Sequence, residues 1–509
     1  MPGTAVRIGP FKGGLNTSSD PSAIADDELA VCENFEFDTD GALTSRPPIE
    51  PYIGSFRVET VKLLGYFTDN NGASWLLSSF FGDVYYDNSG EWVSTAAAIE
   101  ASAMVQYGSK AWVIAQPGSI GDGGWWTPPT TPGDPGTWTN VAAMPKGMAG
   151  TIFKDRLYIV AGSMASTNAS RVWFSNNGDP ATWTSSDFVD VSPGDGQKLI
   201  DLYTSGNALY LFKEDSTYVF SYDSAPTKGV LQPISPIVGV SGTECIIQHE
   251  NTIYVYHEGF IYELVNYIYS KLNYKINLEA STGGSTAYLY PVSLCIVGDR
   301  LICRYFDNVY VFNLRTRTWT TWTSGYLFAN FIKIPKLSTS KDPNSYIAAA
   351  CDVDDNMTYK LIDAFGVQSE VMICKIRTKI FDFNSPNLFK RLYWWGVDLI
   401  AQGDVTGTVT PVVYTFSVTW GQLNGRTWSS LSSSTWGQPL NTAPTVVDTV
   451  STTGSVGRRF LKFLKAIRFR NVYFDIEMTT DGTSTQAPIK IFTVNPVINQ
   501  KQQVGKDVN

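Results

Sequence analysis

One short unit recurs seven times between about residues 57 and 366 of this 509-residue chain, and this repetition restricts the fold more than any other feature. Each copy is a turn rich in Gly, Asn or Asp, an apolar strand, a gap and a second apolar strand. The first strands read Gly72–Leu77, Gly108–Ile114, Lys154–Val160, Gly206–Phe212, Glu250–Tyr256, Gly298–Cys303 and, more faintly, Asn344–Ala349. Their partners include Asp83–Tyr86, Arg171–Ser175, Ser216–Phe220, Gly259–Leu264, Asn308–Phe312 and Met357–Leu361. Short runs of β-branched and aromatic residues between such turns are hairpins. The units repeat every ~36 to ~52 residues, the length of a four-stranded propeller blade.

Several units add a tryptophan-bearing segment, around Trp92, Trp138, Trp183 and Trp319 with Trp322. These are expected to be outer strands whose indoles wedge between neighbouring blades. A β-sandwich also spaces its strands regularly, but seven successive copies of one hairpin favour an all-β propeller. Six blades is the alternative count, because the seventh unit is weak and the loop from Gly121 to Pro135 interrupts the second.

The repeats are flanked by different material. Residues 1–54 show neither helical nor strand period and read as an extended N-terminal strap, with Gly13-Gly14, the acidic Asp26-Asp27-Glu28 and an Arg46-Pro47-Pro48 exit. Leu15, Phe35, Phe37, Leu43 and Arg46 are its candidate anchors. The propeller is expected over 55–366. Beyond it, alternating segments such as Ile376–Phe383, Lys390–Leu399, Lys465–Arg470 and Ile489–Val494 predict a β-sandwich over 367–498. A Ser/Thr-rich insertion is expected over 421–457 and a frayed polar tail over 499–509.

Charge divides along the same line. Residues 1–370 hold 23 Lys and Arg against 39 Asp and Glu, a balance of −16, whereas residues 371–509 hold 15 against 8, a balance of +7. A chain acidic over most of its length is a poor general nucleic-acid binder, though such a surface could line a passage through which DNA slides. The densest basic run comprises Arg458, Arg459, Lys462, Lys465, Arg468 and Arg470. It reads as a docking surface for an acidic neighbour, a phosphate contact, or the solvated face of a strand pair.

Little points to chemistry. The six cysteines lack metal-ligand spacing, and most lie within apolar strands, as buried free thiols do. The N-terminus has no apolar signal core, and no apolar run is long enough for a spanning helix. The two histidines, His249 and His257, read as ordinary turn or surface residues. Asp352–Asn356 lacks the Gly and closing Glu of a calcium loop and reads as a tight turn. No nucleophile motif, phosphate loop or cofactor signature is present, so no catalytic, cofactor or metal residue is assigned.

Ser175–Trp183, then Gly194–Gln197 and Leu211–Ser216, together with the Gly-Gly strap and its Arg-Pro exit, resemble the tail nozzle (tubular tail) proteins of short-tailed bacteriophages. The resemblance covers the strap and propeller; the sandwich matches only in general character. It implies a structural subunit of a homo-oligomeric, commonly hexameric, ring in the virion tail, assembled in the host cytoplasm. Such a ring conducts genomic DNA without sequence-specific binding, and meets portal-adaptor proteins and tail fibres or a needle. The alternatives are a glycan-binding or glycan-degrading propeller, and a minor tail or baseplate protein of a long-tailed phage.

Overall fold

The computed structural model describes residues 4–53, 62–80, 82–88, 91–131, 133–161, 169–278, 292–306, 308–323, 328–334, 347–352, 358–362, 371–383, 390–401, 405–414, 448–452, 456–469, 471–480 and 489–500. Seven successive four-stranded antiparallel blades form a β-propeller, six as separate sheets and the sixth blade as part of a ten-stranded sheet. The innermost strands of blades 1 to 7 are Lys62–Thr68, Ala101–Tyr107, Ala149–Phe153, Leu199–Ser205, Ile246–His249, Val292–Val297 and Phe328–Ile334. Large apolar side chains fill the spaces between blades. Phe153, Tyr158 and Phe174 of blade 3, for example, pack with Leu202, Leu211 and Phe220 of blade 4.

The seventh blade is closed by the beginning of the chain. Its three consecutive strands, Phe328–Ile334, Ile347–Asp352 and Thr358–Ile362, receive Ile49–Ile53 as their outermost member, with Leu361 opposite Ile49 and Tyr359 opposite Pro51. Proline is tolerated there because an outer strand has one side free of ladder bonds. The inner strand of blade 7 lies beside that of blade 1, completing the ring.

The remaining strands build a two-sheet sandwich that is continuous with the propeller. The outer strand of blade 6, Thr318–Trp322, is followed across the same sheet by Glu28–Glu33, Ile373–Thr378, Asn471–Thr480, Val405–Tyr414 and Asp448–Thr452. The second sheet runs Thr4–Ala5, Val497–Gln500, Lys390–Ala401, Ile489–Val494, Leu43–Ser45 and Phe35–Phe37, with Val456–Phe469 along the far side of Lys390–Ala401. One apolar core joins the two bodies. It takes Phe35 and Leu43 from the N-terminal segment, Leu301 and Phe312 from blade 6, and Trp395 and Phe474 from the sandwich.

Several expectations are corrected. The N-terminal segment is not a strap without strands. It supplies members of two to six residues to both sandwich sheets and to blade 7, each too short to display an alternating period. The repeated hairpins are the second and third strands of each blade; the innermost strands went unread because polar residues interrupt their apolar runs. The Gly121–Pro135 loop is no interruption, since Gly124–Thr127 is the third strand of blade 2. Gly124 is needed there, because a Cβ would sit 2.1 Å from the Thr139 carbonyl oxygen. Trp92, Trp138, Trp319 and Trp322 lie on outer strands, but Trp183 sits in a connection and donates to the Pro180 carbonyl. The end of the expected 421–457 insertion is strand, in Asp448–Thr452 and Val456–Phe469; positions 415–447, and 501–509 of the tail, lie outside the described residues.

Deleting residues 1–45 removes strands from both sandwich sheets while sparing the closing strand of blade 7. We expect the truncated chain to lose its cooperative thermal transition, measured by circular dichroism and calorimetry. Melting like the full chain would mean that these strands are dispensable.

Candidate functional site

The N-terminal segment is fixed by a buried polar knot. Asn34 stands between two strap strands with φ of 58°, a left-handed conformation that Asn adopts more readily than most residues. Its side-chain amide donates to Thr323 Oγ1 and to the Ile373 carbonyl, both at 2.7 Å. Its Oδ1 accepts from Arg46 Nε at 2.8 Å and from the Thr323 amide at 2.9 Å. Arg46, fully buried, also donates to the carbonyls of Pro47 and Thr323 and lies over the Trp322 ring. One asparagine thus touches the strap exit, blade 6 and the first sandwich strand. The other predicted anchors, Leu15, Phe35, Phe37 and Leu43, are all buried in the common core.

Ion pairs extend this attachment in both directions. Glu36 accepts a bidentate pair from Arg300 of blade 6 at 2.5 and 2.7 Å, and Glu28 pairs with Lys275 beyond blade 5 at 2.7 Å. On the sandwich side, Asp38 pairs with Lys490 and Asp26 with Lys379. Burial alone would raise the Glu28 carboxyl, but Lys275, the Ala25 amide and Asn16 together hold it below its ordinary value. The double glycine is explained by close approach: at Gly14, φ is +76° and a Cβ would lie 2.9 Å from Thr318 Cβ.

A second candidate site lies beside the inner strands of blades 4 to 6. A cavity of about 430 Å³ opens where inner strands begin, lined in part by Leu199, Ile200, Glu244, Cys245, Val292 and Tyr305. The inner strands of blades 1, 2, 4 and 7 each have an irregular register near their start. Asp201, buried on the inner strand of blade 4, feels the charge of Glu244, which lines the cavity. Burial pushes the Asp201 carboxyl well up and the Glu244 charge adds to it, while Lys62 opposes both. Glu244 is likewise raised by burial and drawn back by Lys62 and Arg304. Burial lowers the Arg304 guanidinium to about 10. The cluster therefore holds two acids and two cations in one low-dielectric space.

Two of the segments singled out in the sequence, Gly194–Gln197 and Leu211–Ser216, meet in space. Lys213, fully buried, places Nζ 2.6 Å from both Asp195 carboxylate oxygens and donates to the Val191 and Ser192 carbonyls. Gln197 accepts from Ser216. In Ser175–Trp183, Asp179 accepts from the Ala181 amide and the Thr182 hydroxyl, making a self-contained turn between the third and fourth strands of blade 3.

The basic run is only partly a free surface. Arg458 pairs with Asp398 of its own sheet at 2.7 Å, and exposed Lys462 lies over the Trp394 ring. Arg459, Lys465 and Arg468 share that strand, and Arg470 lies outside the described residues. Exposed apolar side chains concentrate elsewhere. Of eleven large ones among the described residues, seven fall in the outer parts of blades 4 and 5 and their connections: Val230, Ile237, Phe260, Val265, Tyr267, Ile268 and Tyr274. No sequence signal separated these from core positions, since an outer strand alternates like an inner one.

Cys32, Cys245, Cys295, Cys303 and Cys374 are buried, and burial pushes the Cys32 and Cys303 thiols up to about 12. Of the turn expected at Asp352–Asn356, positions 353–357 lie outside the described residues. His249 is half-buried, but His257 is only 5% exposed, contrary to the expectation of a turn or surface residue. Among the described residues no helix is long and apolar enough to cross a membrane.

No protein-family model matches the sequence, and none of the curated proteins matches it. Among solved structures, PorZ, a bacterial surface component of the type-IX secretion system of Porphyromonas gingivalis, is 11% identical with a TM-score of 0.37, covering 66% of this chain and 43% of its own. The extracellular domain of the two-component system BT4673 from B. thetaiotaomicron is 10% identical with a TM-score of 0.39, covering 68% and 42%. The Neurospora crassa Pan2 WD40 domain is 7% identical with a TM-score of 0.37, covering 59% and 89%. The chain spans under half the length of the first two structures, and the propeller assignment rests on its own strand pairing.

Two variants test these sites. Asn34→Gly keeps the backbone conformation accessible but removes the side-chain hydrogen bonds, and should lower stability by about 2–4 kcal/mol in denaturant melts. The Asp201 carboxyl is raised in the folded state, so its contribution is present below the unfolded value near 3.9 and is lost as pH rises through the folded one. Relative to the parent, Asp201→Asn should therefore gain stability as pH rises above about 4. An unchanged difference would mean that Asp201 titrates normally.

Proposed function

We propose that this chain is a structural subunit of a homo-oligomeric ring in a bacteriophage tail, the nozzle through which the genome leaves. The observation that carries this reading is the concentration of exposed apolar side chains on the outer parts of blades 4 and 5. Such surfaces usually mark protein contacts. A closed ring needs two different, complementary patches on each copy. The acidic propeller with its apolar edge, and the sandwich strand carrying exposed Lys462, form such a pair, in keeping with charge balances of −16 and +7. The strap-and-propeller resemblance adds the portal-adaptor, fibre and DNA-conduit roles. The same ring would also serve a minor tail or baseplate position.

A glycan-binding or glycan-degrading propeller is the second reading, favoured by Glu244, which lines the cavity, and by Asp201, whose buried carboxyl feels its charge. Lys62, and for Glu244 also Arg304, oppose the rise that burial causes in these carboxyls.

Electron microscopy of the purified protein should resolve closed rings. Ile268→Asp, at a site 70% exposed, should abolish them while leaving the melting temperature unchanged. Release of reducing ends from envelope polysaccharide, lost in Glu244→Gln, would overturn the structural reading in favour of the enzyme.

A further inference from the structure

Blades 4 and 5 approach each other at two neighbouring turns. One, beginning at Lys213, connects the second and third strands of blade 4 and carries Asp215. The other connects the same strands of blade 5 and carries His257 and Glu258. One ligand atom from each of Asp215, His257 and Glu258 lies within 4.8 Å of the others. The turns are already fastened at backbone level. The Val240 amide donates to the Lys213 carbonyl, the Ser241 amide to the Tyr256 carbonyl, and the Glu258 amide to Ser241 Oγ.

The histidine makes this more than a pair of surface acids. His257 is 95% buried, its Nδ1 has no hydrogen-bond partner, and its Nε2 lies 4.0 Å from Glu258 Oε2. Nε2 is the ring nitrogen that faces Glu258, so it is the atom that would donate its lone pair to a cation held between the two turns. Asp215 and Glu258 are exposed and able to rotate, whereas the imidazole is fixed by burial.

We propose that Asp215, His257 and Glu258 bind a divalent transition-metal ion of the zinc class, clamping blade 4 to blade 5 at the axial face. One imidazole with two carboxylates suits zinc or manganese better than calcium or magnesium, which favour all-oxygen sites. Ligand distances of about 2.0–2.2 Å require the carboxylates to swing inward by roughly 1 Å, and water completes the coordination. The role is cross-linking, because the site ties together two turns that share no ladder hydrogen bond.

The test uses the full chain, stripped with chelator and titrated with Zn²⁺ by calorimetry, with Co²⁺ as a spectroscopic substitute. We expect one ion per chain, a melting temperature that rises with Zn²⁺, and cobalt absorption bands that shift when His257 is replaced by Gln. Asp215→Asn and Glu258→Gln alter exposed side chains and should leave the metal-free melting temperature unchanged, yet each should weaken binding at least about tenfold. No saturable Zn²⁺ binding, or binding that both exposed-site variants leave intact, would overturn the proposal.

Discussion

The fold depends on one buried asparagine. Blade 7 and the sandwich are assembled from strands far apart in sequence, and Asn34 is where the N-terminal segment, blade 6 and the sandwich converge. Its side chain bonds Arg46, Thr323 and Ile373, its amide donates to the Thr321 carbonyl, and its own carbonyl accepts from the Arg46 amide. A polar group in such a position either finds all its partners or destabilises the core. It therefore acts as a register pin: slipping any of the three segments by one residue leaves several buried donors unmet. The apolar core could tolerate several arrangements of similar area, whereas the knot admits one.

The ion pairs around the knot make the N-terminal segment acidic for a structural reason. Asp26, Glu28, Glu36 and Asp38 each face a Lys or Arg from a later part of the chain, two from blades or their flanks and two from the sandwich. Part of the charge division read as a surface property is therefore internal complementarity between the ends of one molecule. The Arg458–Asp398 pair does the same within the sandwich. What is left for a partner is narrower than composition implies: an apolar outer edge on blades 4 and 5, and the solvent side of one basic strand.

How much of this was legible depended on whether a segment carried its own signal. The second strands of the blades did, and so did the third strands except Gly124–Thr127 of blade 2, because they are apolar runs separated by tight turns. Inner strands did not, since residues such as Ser102, Asp201 and Thr204 face other polar groups and break the pattern. Leu15, Phe35 and Leu43 were recognisable as anchors by hydrophobicity, but nothing local told that Glu28–Glu33 would lie between blade 6 and the sandwich. The Lys213–Asp195 pair was visible only as two halves of a motif. His257 lay beyond reach altogether, because burial of a turn histidine is decided by the neighbouring blade.

Closure of blade 7 by Ile49–Ile53 has a consequence for the order of synthesis. That strand leaves the ribosome early, while its partner Thr358–Ile362 follows about 300 residues later, on the order of tens of seconds at ordinary elongation rates. Blades 1 to 6 can form their four-stranded sheets as they emerge, because each draws its strands from one stretch of chain. The ring cannot shut until Thr358–Ile362 has emerged, and the N-terminal strands, although Phe35–Phe37 and Leu43–Ser45 pair with each other, cannot reach their sandwich partners until later still. The nascent protein thus carries its own head undocked for most of its translation. An open arc of blades is the species that a chaperone, or a premature encounter with a second copy, would meet.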